Sequence, residues 1–180
     1  MERSIFVLAV VVVLTAAALV LVRRVFWGYP KAVLPAGSLL TFQEQAIVAG
    51  VADSLFPRGG PISLSGSEAG LVEYFELYLR RTPAEMRVLI HLLLFFFEHG
   101  TLLFGPYRSR FTRLNEREQV LVLESMSQSG IYFQRVTFLS LRTMLCMGYL
   151  AHPEVARQIG WIADQNPFQL NGLQKQEEAQ

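Results

Sequence analysis

The residues of this chain that could do chemistry are few: His91, Glu98 and His99 in one run, the single cysteine Cys146, His152, and a glycine-rich stretch from Arg58 to Gly66. No two histidines have the four-residue separation that lets one helix present both imidazoles to zinc. Glu98 and His99 are neighbours, so on a helix their side chains diverge by about 100°, unlike the Glu-x-x-His of di-iron bundles. No metal ligand is assigned. Cys146 lies among Met144, Leu145 and Met147 and reads as a small buried hydrophobe rather than a reactive thiol. One cysteine also excludes an internal disulfide, a cysteine-only metal cluster and a Cys-x-x-Cys-His haem attachment. Gly59-Gly60 matches neither a Walker loop nor a dinucleotide fingerprint and reads as a turn. Ser129-Gly130 has no Gly-x-Ser-x-Gly elbow around it. Neither a catalytic residue nor a cofactor site is therefore assigned to this chain. A stand-alone membrane-tethered helical enzyme, with His91, Glu98 or His99 as acid, base or ligand, is the alternative, because folding gathers residues that sequence keeps apart.

The rest of the composition says what must position such groups. Of 180 residues, 52% are hydrophobic and 17% charged, which excludes a disordered or collagen-like chain. Sixteen basic against fifteen acidic residues leave a net charge of +1, too little for a field that attracts nucleic acid. Partners are sought among proteins and membranes.

The apolar residues are unevenly spread. Ile5 to Val22 is an apolar or small-residue run interrupted only by Thr15 and followed by Arg23 and Arg24. Its length on a helix, roughly 27 Å, is near the thickness of a bilayer's hydrocarbon core. Residues 1–28 are read as a single-pass anchor in the inner (cytoplasmic) membrane, touching lipid through residues 5–27, with Trp27 and Tyr29 at the interface. A signal peptide cleaved after Ala16-Ala17-Ala18 is the rival reading, but it would leave Leu19 to Val22 as an apolar stub; a buried soluble helix is the third. Arg23, Arg24 and Lys31 after the run, against Arg3 before it, favour a cytoplasmic domain.

Residues 29–40 contain Pro30, Pro35 and Gly37 and read as a linker. A domain over residues 41–162 follows, then a polar tail over 163–180. Thr41 and Glu44 have capping-box spacing, and Ile47, Val48, Val51, Ala52, Leu55 and Phe56 carry a helix to Pro57. A second helix is expected over Glu68–Arg81 with Leu71, Phe75 and Tyr78 on one side. Thr82-Pro83-Ala84-Glu85 reads as another capping box. Next come six large apolar residues, Leu92 to Phe97, which cover the whole helical circumference. Such a helix must be surrounded, so it is placed at the centre of a bundle, with part of its surface open to completion by another chain. Gly105-Pro106 ends it. Asn115 and Glu118 start another helix, with Val120, Leu121, Leu123 and Met126 as its apolar side. Tyr132–Leu150 carries Phe133, Val136, Leu139, Thr143 and Met147 near one stripe, and Pro153–Ile159 makes a short last helix. No stretch alternates with period two between hairpin turns, so the fold class is all-α: one N-terminal transmembrane helix followed by a compact helical bundle.

Phe111, Leu114 and Arg117, followed by Arg135, Phe138, Leu141, Arg142, Tyr149, Pro153, Val155, Gly160 and Trp161, resemble the C-terminal signature of the gluconate 2-dehydrogenase subunit 3 family. Leu40-Thr41, Ala52-Asp53 and Phe56-Pro57 look like that family's opening helix. The resemblance implies a small noncatalytic accessory subunit of a membrane-associated dehydrogenase, with FAD and the substrate chemistry in a large partner subunit of the glucose-methanol-choline type and a separate cytochrome subunit as a further candidate partner. It also implies the periplasmic side, against the charge bias, although Arg23-Arg24 follow the apolar run where the family's exported twin-arginine signal would precede it. Phe95, Phe96 and Phe97 point in three directions, and this trio is the candidate partner contact.

Overall fold

The computed structural model describes residues 10–16, 19, 20, 23, 28, 29 and 33–161. The chain divides into two units, residues 1–30 and 31–180. In the first, residues 10–16 are helical and exposed, and Thr15 Oγ1 donates back to the carbonyls of Val11 and Val12 at 2.9 Å. Most of the expected anchor and all of the expected polar tail lie outside the described residues. Among those that are described, no helix is long and apolar enough to cross a membrane.

The second unit is helical, with no strand among its described residues. Its elements are α1 (Phe42–Leu55), α2 (Leu71–Arg81), α3 (Ala84–Phe104), a 3-10 turn (Phe111–Arg113), α4 (Glu116–Ser127), α5 (Tyr132–Ala151) and α6 (Pro153–Gln158). Two starts are fixed by reciprocal capping boxes, Thr41 with Glu44 and Asn115 with Glu118. In each, a short side-chain acceptor and an acid three residues on satisfy backbone donors that the helix cannot. The third expected box does not form. Thr82 closes α2, and its hydroxyl donates to the Tyr78 carbonyl at 2.7 Å, so Pro83 becomes the residue before α3 and no side chain caps that helix.

α1 packs against α2, α3, α4 and the 3-10 turn, and α5 packs against α2, α3, α4 and α6. Val48, Phe75, Leu79, Leu94, Phe97, Phe111, Leu141 and Leu145 are fully buried where these helices meet. Aromatic geometry joins distant segments: Phe97 meets Phe111 edge-on at 4.8 Å, and Phe56 stacks on Tyr149 at 3.8 Å. The Tyr149 hydroxyl donates to the Leu64 carbonyl, tying down the glycine-rich loop between α1 and α2. That loop returns so closely over α1 that a Cβ on Gly66 would lie 2.4 Å from the Ala52 carbonyl carbon. The missing Cβ of Gly66 is what permits this backbone approach.

Residues 33–40 contain no helix, yet they are strapped to the unit. The amides of Val33 and Leu34 both donate to Gln45 Oε1 at 3.0 Å, and those of Leu39 and Leu40 donate to the two carboxylate oxygens of Glu76. Burial opposes ionisation of Glu76, but these two amides together with Arg80 outweigh it and hold its carboxyl below the usual range.

One expectation for the core is overturned. α3 is not surrounded on all sides: Ile90, Leu94 and Phe97 are buried, while Val88, Leu89, Leu92, Phe95 and Phe96 face outward and are exposed. α1, with Ile47, Val48, Val51 and Ala52 buried, occupies the interior position that the six-residue apolar run had suggested for α3.

Candidate functional site

The site is built from two helices that are apolar on both faces. At about 100° per residue, Ile90, Leu94, Phe97, Glu98 and Thr101 share the inner side of α3, and Val88, Leu89, Leu92, Phe95 and Phe96 share the outer side. α5 divides the same way. Phe138, Leu141, Met144, Leu145, Gly148 and Tyr149 are buried. The stripe that periodicity had picked out, Phe133, Val136, Leu139, Thr143 and Met147, is the exposed one. The helix is amphipathic in neither sense, because both of its faces are apolar. On α4 the division also differs from expectation: Val122, Leu123 and Met126 are buried, whereas Val120 and Leu121 are exposed.

The two outer faces join where Phe96 of α3 meets Phe133 of α5. Phe95 extends the surface, edge-on to Phe96 and stacked on His99 at 4.3 Å. Half-exposed Phe, Leu, Met and Val side chains in this number are more than the scattered single apolar residues ordinary on a monomer's surface. At one end, where α2 hands over to α3, the surface dips into an open cleft of about 370 Å³ lined by Tyr78, Arg81, Met86, Leu89, Ile90 and Met144.

The charge on this face is one-sided. α5 has no acidic residue, and its exposed Arg135 and Arg142 stand seven residues apart along one edge. The acids of α3 are Glu85 in the first turn and Glu98, which is buried. Arg135 is steadied by donating to the Ser129 carbonyl and by lying over the Tyr132 ring, 5.9 Å from its centroid.

Of the three phenylalanines proposed for partner contact, the structure leaves two at the surface. Phe95 and Phe96 are exposed, whereas Phe97 is fully buried against Phe111 and belongs to the core. Val88, Leu89 and the outer residues of α5 take its place. For the residues of α5 the signal was present in the absence of any acid from residues 125–153.

The residues considered for catalysis are dispersed into structural roles. His91 Nδ1 lies 2.6 Å from Glu44 Oε1 and so ties α3 to the capping box of α1. Glu98 points the other way, accepting from the amide and hydroxyl of Thr112, with Arg110 Nε 3.9 Å away. His99 Nδ1 donates to the Phe95 carbonyl one turn back. His152 caps α6, its Nδ1 accepting from the Glu154 amide. Cys146 is free and partly exposed rather than fully buried. Among the described residues, no group of three or more His, Cys, Asp or Glu is placed to hold a metal ion.

Comparison of the chain with protein-family models, with curated proteins and with solved structures gave no match.

Proposed function

We propose that this chain is a noncatalytic accessory subunit that anchors, stabilises or helps mature a membrane-associated FAD-dependent dehydrogenase of the glucose-methanol-choline type. The observation that carries the docking role is the joined outer face of α3 and α5, apolar and exposed on a unit that already has a complete core beneath it. Exposed apolar surface of this extent is the mark of an interface. The resemblance over Leu40 to Trp161 supplies the identity of the partner, which carries the FAD, and the cytochrome subunit as a further member of the assembly. The apolar run over residues 5–22 supplies the single-pass inner-membrane attachment.

The test is recovery of the tagged full chain from its native membrane in gentle detergent. The expected result is a large flavoprotein in stoichiometric amount, seen as a flavin absorption spectrum on the complex and absent from the separated chain. Recovery of this chain alone, or a flavin spectrum on the chain by itself, overturns the proposal.

A further inference from the structure

The proposed complex leaves open what the partner must present to this face, and the edge arginines bear on that. Phe133 marks the side of α5 that meets α3, because its ring touches Phe96. Arg135 lies two residues on, about 200° round the helix, and Arg142 follows seven residues later at nearly the same angle. The face is thus bounded on its α5 side by two exposed arginines whose backbone positions are about 10 Å apart along the axis. The opposite edge is Val88 and Phe95.

Three occupants differ in how they answer that pattern. A second copy meeting this face about a two-fold axis would bring its own Arg135 and Arg142, and the one exposed acid on α3 and α5 to oppose them is Glu85 in the first turn of α3. A bilayer surface presents phosphate on every side, and helices that lie on it carry lysines and arginines along their polar margins. Here Arg135 and Arg142 stand together on one edge, the opposite edge of Val88 and Phe95 is apolar, and a further cation, Arg81, lines the cleft at one end. A protein surface with an apolar centre and acids on one flank answers all of it. Aromatic residues, methionine and arginine are the types enriched in such interfaces, and lysine is depleted. Arginine's planar fork also suits carboxylates that accept two hydrogen bonds.

We infer that the outer face of α3 and α5 binds an apolar, helix-sized surface of the partner subunit flanked on one side by two carboxylates, which pair with Arg135 and Arg142. This rests on the accessory-subunit reading, and it fixes which surface of the chain is used and which chemistry recognises it.

The experiment places the photo-crosslinking residue p-benzoylphenylalanine at Phe96 or Leu139 of the full chain in its native membrane, with Ser127 of α4 as the off-face position. It also compares the double variants Arg135→Glu/Arg142→Glu and Arg135→Lys/Arg142→Lys with Arg58→Glu, a single charge reversal at the ion pair with Glu68 on the loop between α1 and α2. Positions 96 and 139 are expected to crosslink to one acidic stretch of the flavoprotein. The double glutamate variant is expected to lower flavoprotein retention at least tenfold, while the double lysine variant and Arg58→Glu keep most of it. If flavoprotein co-purifies but the crosslinks go to lipid, to a second copy or to nothing, the inference fails and the accessory-subunit reading stands. Equal retention by the glutamate and lysine doubles overturns the charge pairing. Crosslinks to an acidic stretch of a protein without flavin overturn the identity of the partner and leave the recognition chemistry in place.

Discussion

The rings of Phe96 and Phe133 meet edge to face, 5.4 Å between centroids with their planes at 88°, although each residue is about half exposed, 46% and 54%. Two helices are thus fastened together on the outside of the molecule by aromatic residues that still present much of their surface to whatever lies beyond. A double-mutant cycle on Phe96→Ala and Phe133→Ala is expected to give a coupling of about 0.5–1.5 kcal/mol in urea unfolding of the full chain in detergent. Additive losses would show that the two rings do not support one another.

The three adjacent phenylalanines separate into different jobs, and stability measures the separation. Phe97→Ala removes a fully buried ring from against Phe111 and is expected to cost about 3–5 kcal/mol. Phe95→Ala trims an exposed ring and should cost about 1 kcal/mol or less while weakening partner retention. Thermal unfolding beside co-purification distinguishes them, and equal loss of stability at both positions would contradict the burial pattern.

Glu76 makes the strap over residues 33–40 sensitive to acid. Its carboxyl sits below the usual range in the folded chain, so its stabilisation is complete above the unfolded value of about 4.3 and is lost as pH falls through the lower folded value. Glu76→Gln keeps one acceptor oxygen where Leu39 and Leu40 need two, and should cost about 1–3 kcal/mol at neutral pH. It should also flatten the acid limb of the stability curve. Amide exchange at Leu39 and Leu40 reports the release directly, and unchanged protection in the variant would refute the clamp.

Gly148 lies in the middle of α5, where a Cβ would come within 2.3 Å of the Tyr74 ring. Alanine is the better helix former by about 1 kcal/mol, yet Gly148→Ala is expected to destabilise the chain by about 1–3 kcal/mol through overpacking. In a Tyr74→Ala background the same substitution should become neutral or stabilising. Loss of the destabilisation in the Tyr74→Ala background, read from urea midpoints, is the check, and an equal cost in both backgrounds would refute the clash.

Much of the fold was legible because helix starts are local chemistry. Thr41 with Glu44 and Asn115 with Glu118 each settle a start within four residues, and the structure contains both boxes. Thr82 with Glu85 has the same letters and fails because Thr82 already belongs to the end of α2 and gives its hydroxyl to Tyr78. Spacing alone carries no record of that competition. The inward side of α3 and of α5 was illegible for a related reason. When both faces of a helix are apolar, periodicity shows that a stripe exists without showing which stripe the neighbours cover, and Phe133, Val136 and Leu139 were the uncovered set. The outer face was legible only as an excess, more apolar residues than one core could enclose.

The hydrogen bonds from Val33 and Leu34 to Gln45 and from Leu39 and Leu40 to Glu76 are in series with the chain that precedes them. Tension arriving along that chain loads these amides before it reaches Thr41, and they pass it sideways to Gln45 of α1 and Glu76 of α2. The strap works as a strain relief, like the clamp on a cable where it enters a housing. A tug that frees residues 33–38 leaves Leu39 and Leu40 still gripped by α2, and the helices beneath keep their register.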